Sequence, residues 1–176
     1  CFAYNEDTVT IVDVTNKAAP VQLSRTPYAG SAYTHQGWLT PDQQYILHDD
    51  ELDEQNLGHN TWTYIWDASN LELPVLLGHY TAPVAAIDHN LYTKGNFAFQ
   101  ANYRSGLRII DISDVGTLAN VTEVAYFDTY PTDDIASFNG AWSTYPYFTS
   151  GTVIISDIER GLFLVRPSLA GFSVSS

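Results

Sequence analysis

The sequence predicts an all-β fold made of β-propeller blades, each a four-stranded antiparallel repeat. Three observations carry that reading. Helical periodicity is nearly absent; short β-branched and aromatic runs punctuated by Gly, Pro, Asn and Asp take its place. One strand motif recurs four times along the chain. A second motif recurs at spacings of 54 residues (His35 to His89) and 50 residues (His89 to Asn139). Units of roughly 45–55 residues with about four strands each match propeller blades, whereas a sandwich has no reason to repeat its motifs.

The first unit, residues 1–28, carries only the later strands of a blade. Val9-Thr10-Ile11-Val12-Asp13-Val14 alternates and ends at an aspartate followed by Thr15-Asn16. An Asp at that point folds its side chain onto the following amides and fixes a turn. The turn leads to Pro20-Val21-Gln22-Leu23, where the proline suits the start of an outer strand. The second unit, residues 33–80, opens with His35-Gln36-Gly37-Trp38. It repeats the motif as Thr63-Tyr64-Ile65-Trp66-Asp67, turns at Ser69-Asn70 and leaves through Pro74-Val75-Leu76-Leu77.

The third unit, residues 86–128, opens with His89-Asn90-Leu91-Tyr92. It repeats the motif as Leu107-Arg108-Ile109-Ile110-Asp111 and turns at Ser113-Asp114 before Val121-Thr122-Glu123-Val124-Ala125. The fourth unit, residues 138–167, opens with Asn139-Gly140-Ala141-Trp142 and shows three strands, ending with Gly161-Leu162-Phe163-Leu164-Val165. Residues 168–176 read as a linker tail. Two whole and two partial blades do not close a ring, so the expectation is a fragment of a larger propeller, completed by upstream blades or by contact with other chains.

Composition narrows the function classes. Seven Lys and Arg against 20 Asp and Glu give a net charge of −13, which argues against a nucleic-acid partner. Hydrophobic residues make up 45 % of the chain, enough for a real core. No apolar run approaches the ~18 residues of a membrane span, and no signal segment opens the chain. Methionine is absent even at position 1, and the chain opens on its only cysteine, which points to a processed product or a piece of something longer. Cys1 is either a free buried thiol or half of a disulfide with an upstream partner; a low-lysine, acidic composition fits a secreted setting. Asn120-Val121-Thr122 is a glycosylation sequon.

Equivalent positions of successive blades converge on the propeller axis, so His35, His89 and Asn139, with Asp88 beside His89, form a candidate metal or ligand site. Imidazoles there suit Zn, Cu, Ni or Fe; the alternative is that these strand-end side chains only bond a neighbouring blade. Asp49-Asp50-Glu51-Leu52-Asp53-Glu54 is a second candidate. Carboxylates this dense repel, and a hard cation would relieve them, so Asp49, Asp50, Glu51 and Asp53 are expected calcium ligands, with a solvated acidic loop as the alternative. Arg104, Glu159 and Arg160 sit at hairpin tips beside Gly106 and Gly161, where they pair between blades or meet a ligand carboxylate. Trp38 and Trp142 are expected in the core. Trp62, whose third-unit equivalent is Gly106, is the best candidate for an exposed, ligand-binding aromatic. No Gly-x-Ser-x-Gly, His-Glu-x-x-His or Gly-rich phosphate loop is present.

The chain resembles the choice-of-anchor B family of secreted proteins with LVIVD-type propeller repeats. The matching stretches are Tyr33-Thr34-His35-Gln36-Gly37-Trp38-Leu39-Thr40, Asp49 to Glu54, Asn60 to Asp67, Ile87-Asp88-His89-Asn90-Leu91-Tyr92, Gln100 to Arg108, Phe138 to Ser143, and Ser156 to Leu162. The resemblance implies an extracellular protein, often held at the surface by a C-terminal anchor, and implies no known reaction. Two functions follow as expectations. One is a binding or structural scaffold for protein, glycan, self-assembly or an upstream part of the same protein. The other is a metal-dependent extracellular enzyme with its site at the axial mouth.

Overall fold

The computed structural model describes residues 1–169, so most of the expected tail at 168–176 lies outside the described residues. The first sheet holds β1 (Phe2–Tyr4), β2 (Thr8–Asp13) and β3 (Val21–Pro27). The second holds β4 (Thr34–Leu39), β5 (Tyr45–Asp50), β6 (Trp62–Asp67) and β7 (Val75–Thr81), with a short helix α1 (Asp53–Leu57) between β5 and β6. The third holds β8 (Asn90–Lys94), β9 (Phe97–Ala101), β10 (Leu107–Asp111) and β11 (Thr122–Phe127); the fourth holds β12 (Ala141–Tyr145), β13 (Val153–Asp157) and β14 (Gly161–Val165). Every pairing is an antiparallel meander, as blades require.

The repeated aspartates do what their spacing predicts. Asp13 Oδ1 accepts the amide of Thr15 at 2.8 Å, Asp67 that of Ser69 at 2.9 Å and Asp111 that of Ser113 at 2.8 Å. Each turn launches an outer strand with a bulge at the same place, after Ile11, Ile65 and Ile109. The extra residue sharpens the twist of the outer strand.

Strand alternation then builds three cores between four sheets. Ile46 and Trp66 face the first sheet with Val9 and Ile11. Leu47 and Ile65 face the third with Leu91, Ala98 and Ile110. Phe99, Leu107 and Ile109 face the fourth with Ala141, Val153 and Ile155. The same parity sends His48 toward the first sheet and Asp49 toward the third. Trp38 and Trp142 do not join these cores: they are 43 % and 50 % exposed. Cys1 is likewise exposed rather than buried.

A polar relay ties the first two sheets together. Trp66 Nε1 donates to His48 Nδ1 at 2.9 Å, which leaves His48 Nε2 to donate to the Tyr28 hydroxyl at 3.1 Å; Tyr28 in turn donates to Asp50 Oδ2. Burial pushes the His48 imidazole down to about 3, so it stays neutral. Tyr28→Phe strips a buried partner from both His48 and Asp50. It is expected to cost about 2–4 kcal/mol, read as a lower urea midpoint at unchanged slope.

Candidate functional site

The inner strand β8 lies between β4 and β12, and polar contacts near their starts join them in turn, His35 to the His89 carbonyl and His89 to the Trp142 carbonyl. His35 sits in a bulge of β4, between the paired residues Thr34 and Gln36. Its ring stacks on His89 at 4.5 Å, and Tyr33 stacks on its other side at 5.9 Å. His35 Nδ1 lies 2.9 Å from the His89 carbonyl. A carbonyl only accepts, so the proton is on Nδ1 and the Nε2 lone pair is free. His89 Nδ1 meets the Trp142 carbonyl at 2.5 Å, while the Asn90 amide, 2.7 Å from that nitrogen, shares the same carbonyl at 2.9 Å. We assign the proton to Nδ1 there too, on the shorter contact.

Both Nε2 atoms point at Glu51. His89 Nε2 lies 3.5 Å from Oε1 and His35 Nε2 lies 3.9 Å from Oε2. Tyr103 donates to Glu51 Oε1 at 2.6 Å and fixes the carboxylate. Two lone pairs therefore face a carboxylate, and burial lowers the His89 pKa, which disfavours a proton as the mediator. A cation fits: one donor atom from each of His35, Glu51 and His89 lies within 4.8 Å of the other two, a spacing one ion can draw together. Imidazole Nδ1–H held by a carbonyl is the outer-shell arrangement of metal-ligating histidines.

The other two expected members of this site lie elsewhere. Asn139 accepts from Arg104 Nε at 3.0 Å and donates to Glu159 Oε1 at 2.6 Å. Asp88 turns away from His89 into a buried acidic cluster with Asp53 and Glu54, ligand atoms within 4.8 Å of one another. Asp49 faces the same cluster from β5. Asp49, Asp53 and Asp88 are fully buried and Glu54 nearly so, so the acidic run is not a solvated loop. The run is also divided: Glu51 serves the histidines, while Asp50 accepts from Tyr28 and from the amides of Ala32 and Tyr33. Burial and mutual repulsion hold Asp49 and Asp88 well above the usual carboxylate range, and push Glu54 up to about 10 and Asp53 to about 7.

At the hairpins, Arg104 is engaged by protein partners. Its Nη1 donates to Asp133 at 2.6 Å, and its guanidinium lies 4.8 Å from the Tyr130 ring centroid. Glu159 caps the Gly140 amide at 2.8 Å. The chain Arg104–Asn139–Glu159 thus links the third and fourth sheets, leaving Arg160 exposed. Trp62 is half-buried rather than exposed, sandwiched between His59 at 3.4 Å and His79 at 4.0 Å. The aromatics that remain exposed near the histidines are Trp142, 4.5 Å from His89 in ring contact, and Phe138, 5.3 Å from Tyr103. A hollow of about 710 Å³ lies at the opposite ends of β4 and β8, lined by Trp38, Thr40, Thr93 and Lys94, away from this chemistry.

An LVIVD repeat model matches residues 89–129, the span of the third sheet. None of the curated proteins matches the chain. A periplasmic gluconolactonase of Pseudomonas aeruginosa shares the fold at a TM-score of 0.68 and 14 % identity, covering 93 % of this chain and 48 % of its own. A protein from Lactobacillus plantarum does so at 0.67 and 18 % identity, covering 93 % and 51 %. The chain spans about half the length of each. At these identities the likeness shows the fold, an all-β propeller, and nothing of the chemistry.

Proposed function

We infer that the chain is a binding module of an extracytoplasmic propeller protein, and that it takes a glycan at its axial mouth through a divalent transition metal. The observation that carries this reading is the convergence of His35, Glu51 and His89, with Nε2 of each imidazole facing the carboxylate. Two His and one carboxylate leave coordination positions open for ligand hydroxyls. Trp142, half exposed beside His89, offers the flat apolar face that sugar rings stack on. The periplasmic setting of one structural neighbour, the choice-of-anchor B resemblance and the acidic, lysine-poor composition support an extracellular or periplasmic location.

A second reading has one specific observation behind it. The same open metal position would activate water, and the structural neighbour from Pseudomonas aeruginosa is a gluconolactonase.

Titration of chelator-stripped protein with Zn²⁺, and with Co²⁺ as the coloured substitute, tests both. The expected result is saturable binding of a single ion, with Co²⁺ absorption of a low-symmetry site and metal-dependent binding of oligosaccharides. Hydrolysis of gluconolactone that appears only with metal would favour the enzyme. Failure to bind Zn²⁺ or Co²⁺ would remove both readings.

A further inference from the structure

We propose that Asp53, Glu54 and Asp88, together with Asp49, form a calcium site that fastens helix α1 of the second sheet to the start of β8 in the third. This site is distinct from the histidine mouth and does not rest on it. Four carboxylates from three segments meet in a region closed to solvent. Seven of their eight oxygens receive no hydrogen bond from outside the cluster: both of Asp49, Glu54 and Asp88, and Oδ1 of Asp53; within it Asp49 meets Asp88 and Asp53 meets Glu54, acid against acid. The eighth, Asp53 Oδ2, accepts from the Tyr64 hydroxyl at 3.0 Å, with His59 Nε2 at 3.8 Å. Asp53, Glu54 and Asp88 make the compact triad. Asp49 is the independent observation: it reaches the triad from β5, fully buried, with both oxygens aimed into the cluster and no donor from outside it.

Four buried carboxylates are costly unless protons or a cation neutralise them, and a cation answers all four at once. The donor set names the cation. Every donor is a hard carboxylate oxygen, which suits Ca²⁺ or Mg²⁺ rather than zinc or copper. Mg²⁺ keeps several waters and an octahedral shell, whereas Ca²⁺ takes six to eight oxygens in irregular geometry, as this dry and oxygen-rich site offers. The position gives the ion a purpose. Glu51 lies between Asp49 and Asp53, and His89 follows Asp88, so the stretches that supply the four carboxylates also carry two of the three residues of the mouth.

Thermal unfolding of chelator-stripped protein, with and without Ca²⁺, tests the proposal. At calcium about a hundredfold above its Kd, the melting temperature should rise by about 5–10 °C. Asp88→Asn and Glu54→Gln should each erase that shift, while His35→Ala should keep it, which separates this site from the mouth. Tb³⁺ offers a readout on the unaltered chain: Tyr64, bonded to Asp53, should sensitise its emission, and Ca²⁺ should quench it by displacement. No melting shift and no Tb³⁺ emission would overturn the proposal, as would a full calcium shift in both carboxamide variants.

Discussion

The His89→Ala variant is expected to bind zinc more than 100-fold more weakly than the unaltered chain. Losing an outer-shell partner costs a metal site about 10–100-fold, and losing a direct ligand must cost more. His89 is both. Its Nε2 faces Glu51 at 3.5 Å, its own carbonyl holds His35 Nδ1 at 2.9 Å, and its ring stacks on His35 at 4.5 Å. Alanine keeps the carbonyl but removes the ligand and the stack, so His35 loses the neighbour that orients it. Competition against a chromophoric chelator measures the loss. Asn139→Ala is the matched control. Asn139 occupies the same repeat position but is held by Arg104 and Glu159, so zinc affinity should stay within a few-fold. Equal affinities for the unaltered chain and His89→Ala would place the metal elsewhere.

The blades were legible because their signals are local and repeat. Asp13, Asp67 and Asp111 each mark the end of a strand through a contact two residues away, and such contacts survive in sequence as spacing. The equivalence of His35, His89 and Asn139 was legible for the same reason. What each does was not, because that depends on the next blade. His35 and His89 each find a carbonyl one blade on, while Asn139 is captured by Arg104 from the blade before.

The division of the acidic run was hidden by alternation at a strand end. Asp49, Asp50 and Glu51 are neighbours in the chain, yet one faces the third sheet, one caps the segment at Ala32 and Tyr33, and one points to the axis. One signal was present. The interval from His35 to Asp67 is 32 residues, against 22 from His89 to Asp111. The second unit therefore carries an insertion, and α1 with Asp53 and Glu54 lies in it. The carboxylates of that insertion are buried rather than solvated, and Glu54 belonged with its neighbours on that ground. Trp62 misled because its equivalence to Gly106 suggested a side chain with nowhere to pack; His59 in the same insertion and His79 on β7 supply the two faces it packs between.

Gly106→Ala is expected to destabilise the chain by about 3–4 kcal/mol, and Gly161→Ala by only about 1–2 kcal/mol, although the two glycines occupy the same hairpin position in successive sheets. Both have left-handed backbone, with φ of 73° and 81°. An L-residue there costs about 1–2 kcal/mol. The difference is steric. A Cβ on Gly106 would stand 2.3 Å from the Phe127 carbonyl oxygen and 2.7 Å from the Thr129 nitrogen, whereas one on Gly161 meets nothing within 4 Å. Those neighbours are backbone, so they cannot swing aside as a side-chain tip would, and forced overpacking adds about 1–3 kcal/mol. Residues 127–129 also carry the chain from the third sheet toward the fourth. Pushing them outward moves the hairpin whose Arg104 grips Asp133 and Asn139, so the damage should spread to that inter-sheet link. Urea unfolding of the two variants side by side measures the gap. Equal losses would mean that the 127–129 segment yields freely and leaves the Arg104 link undisturbed.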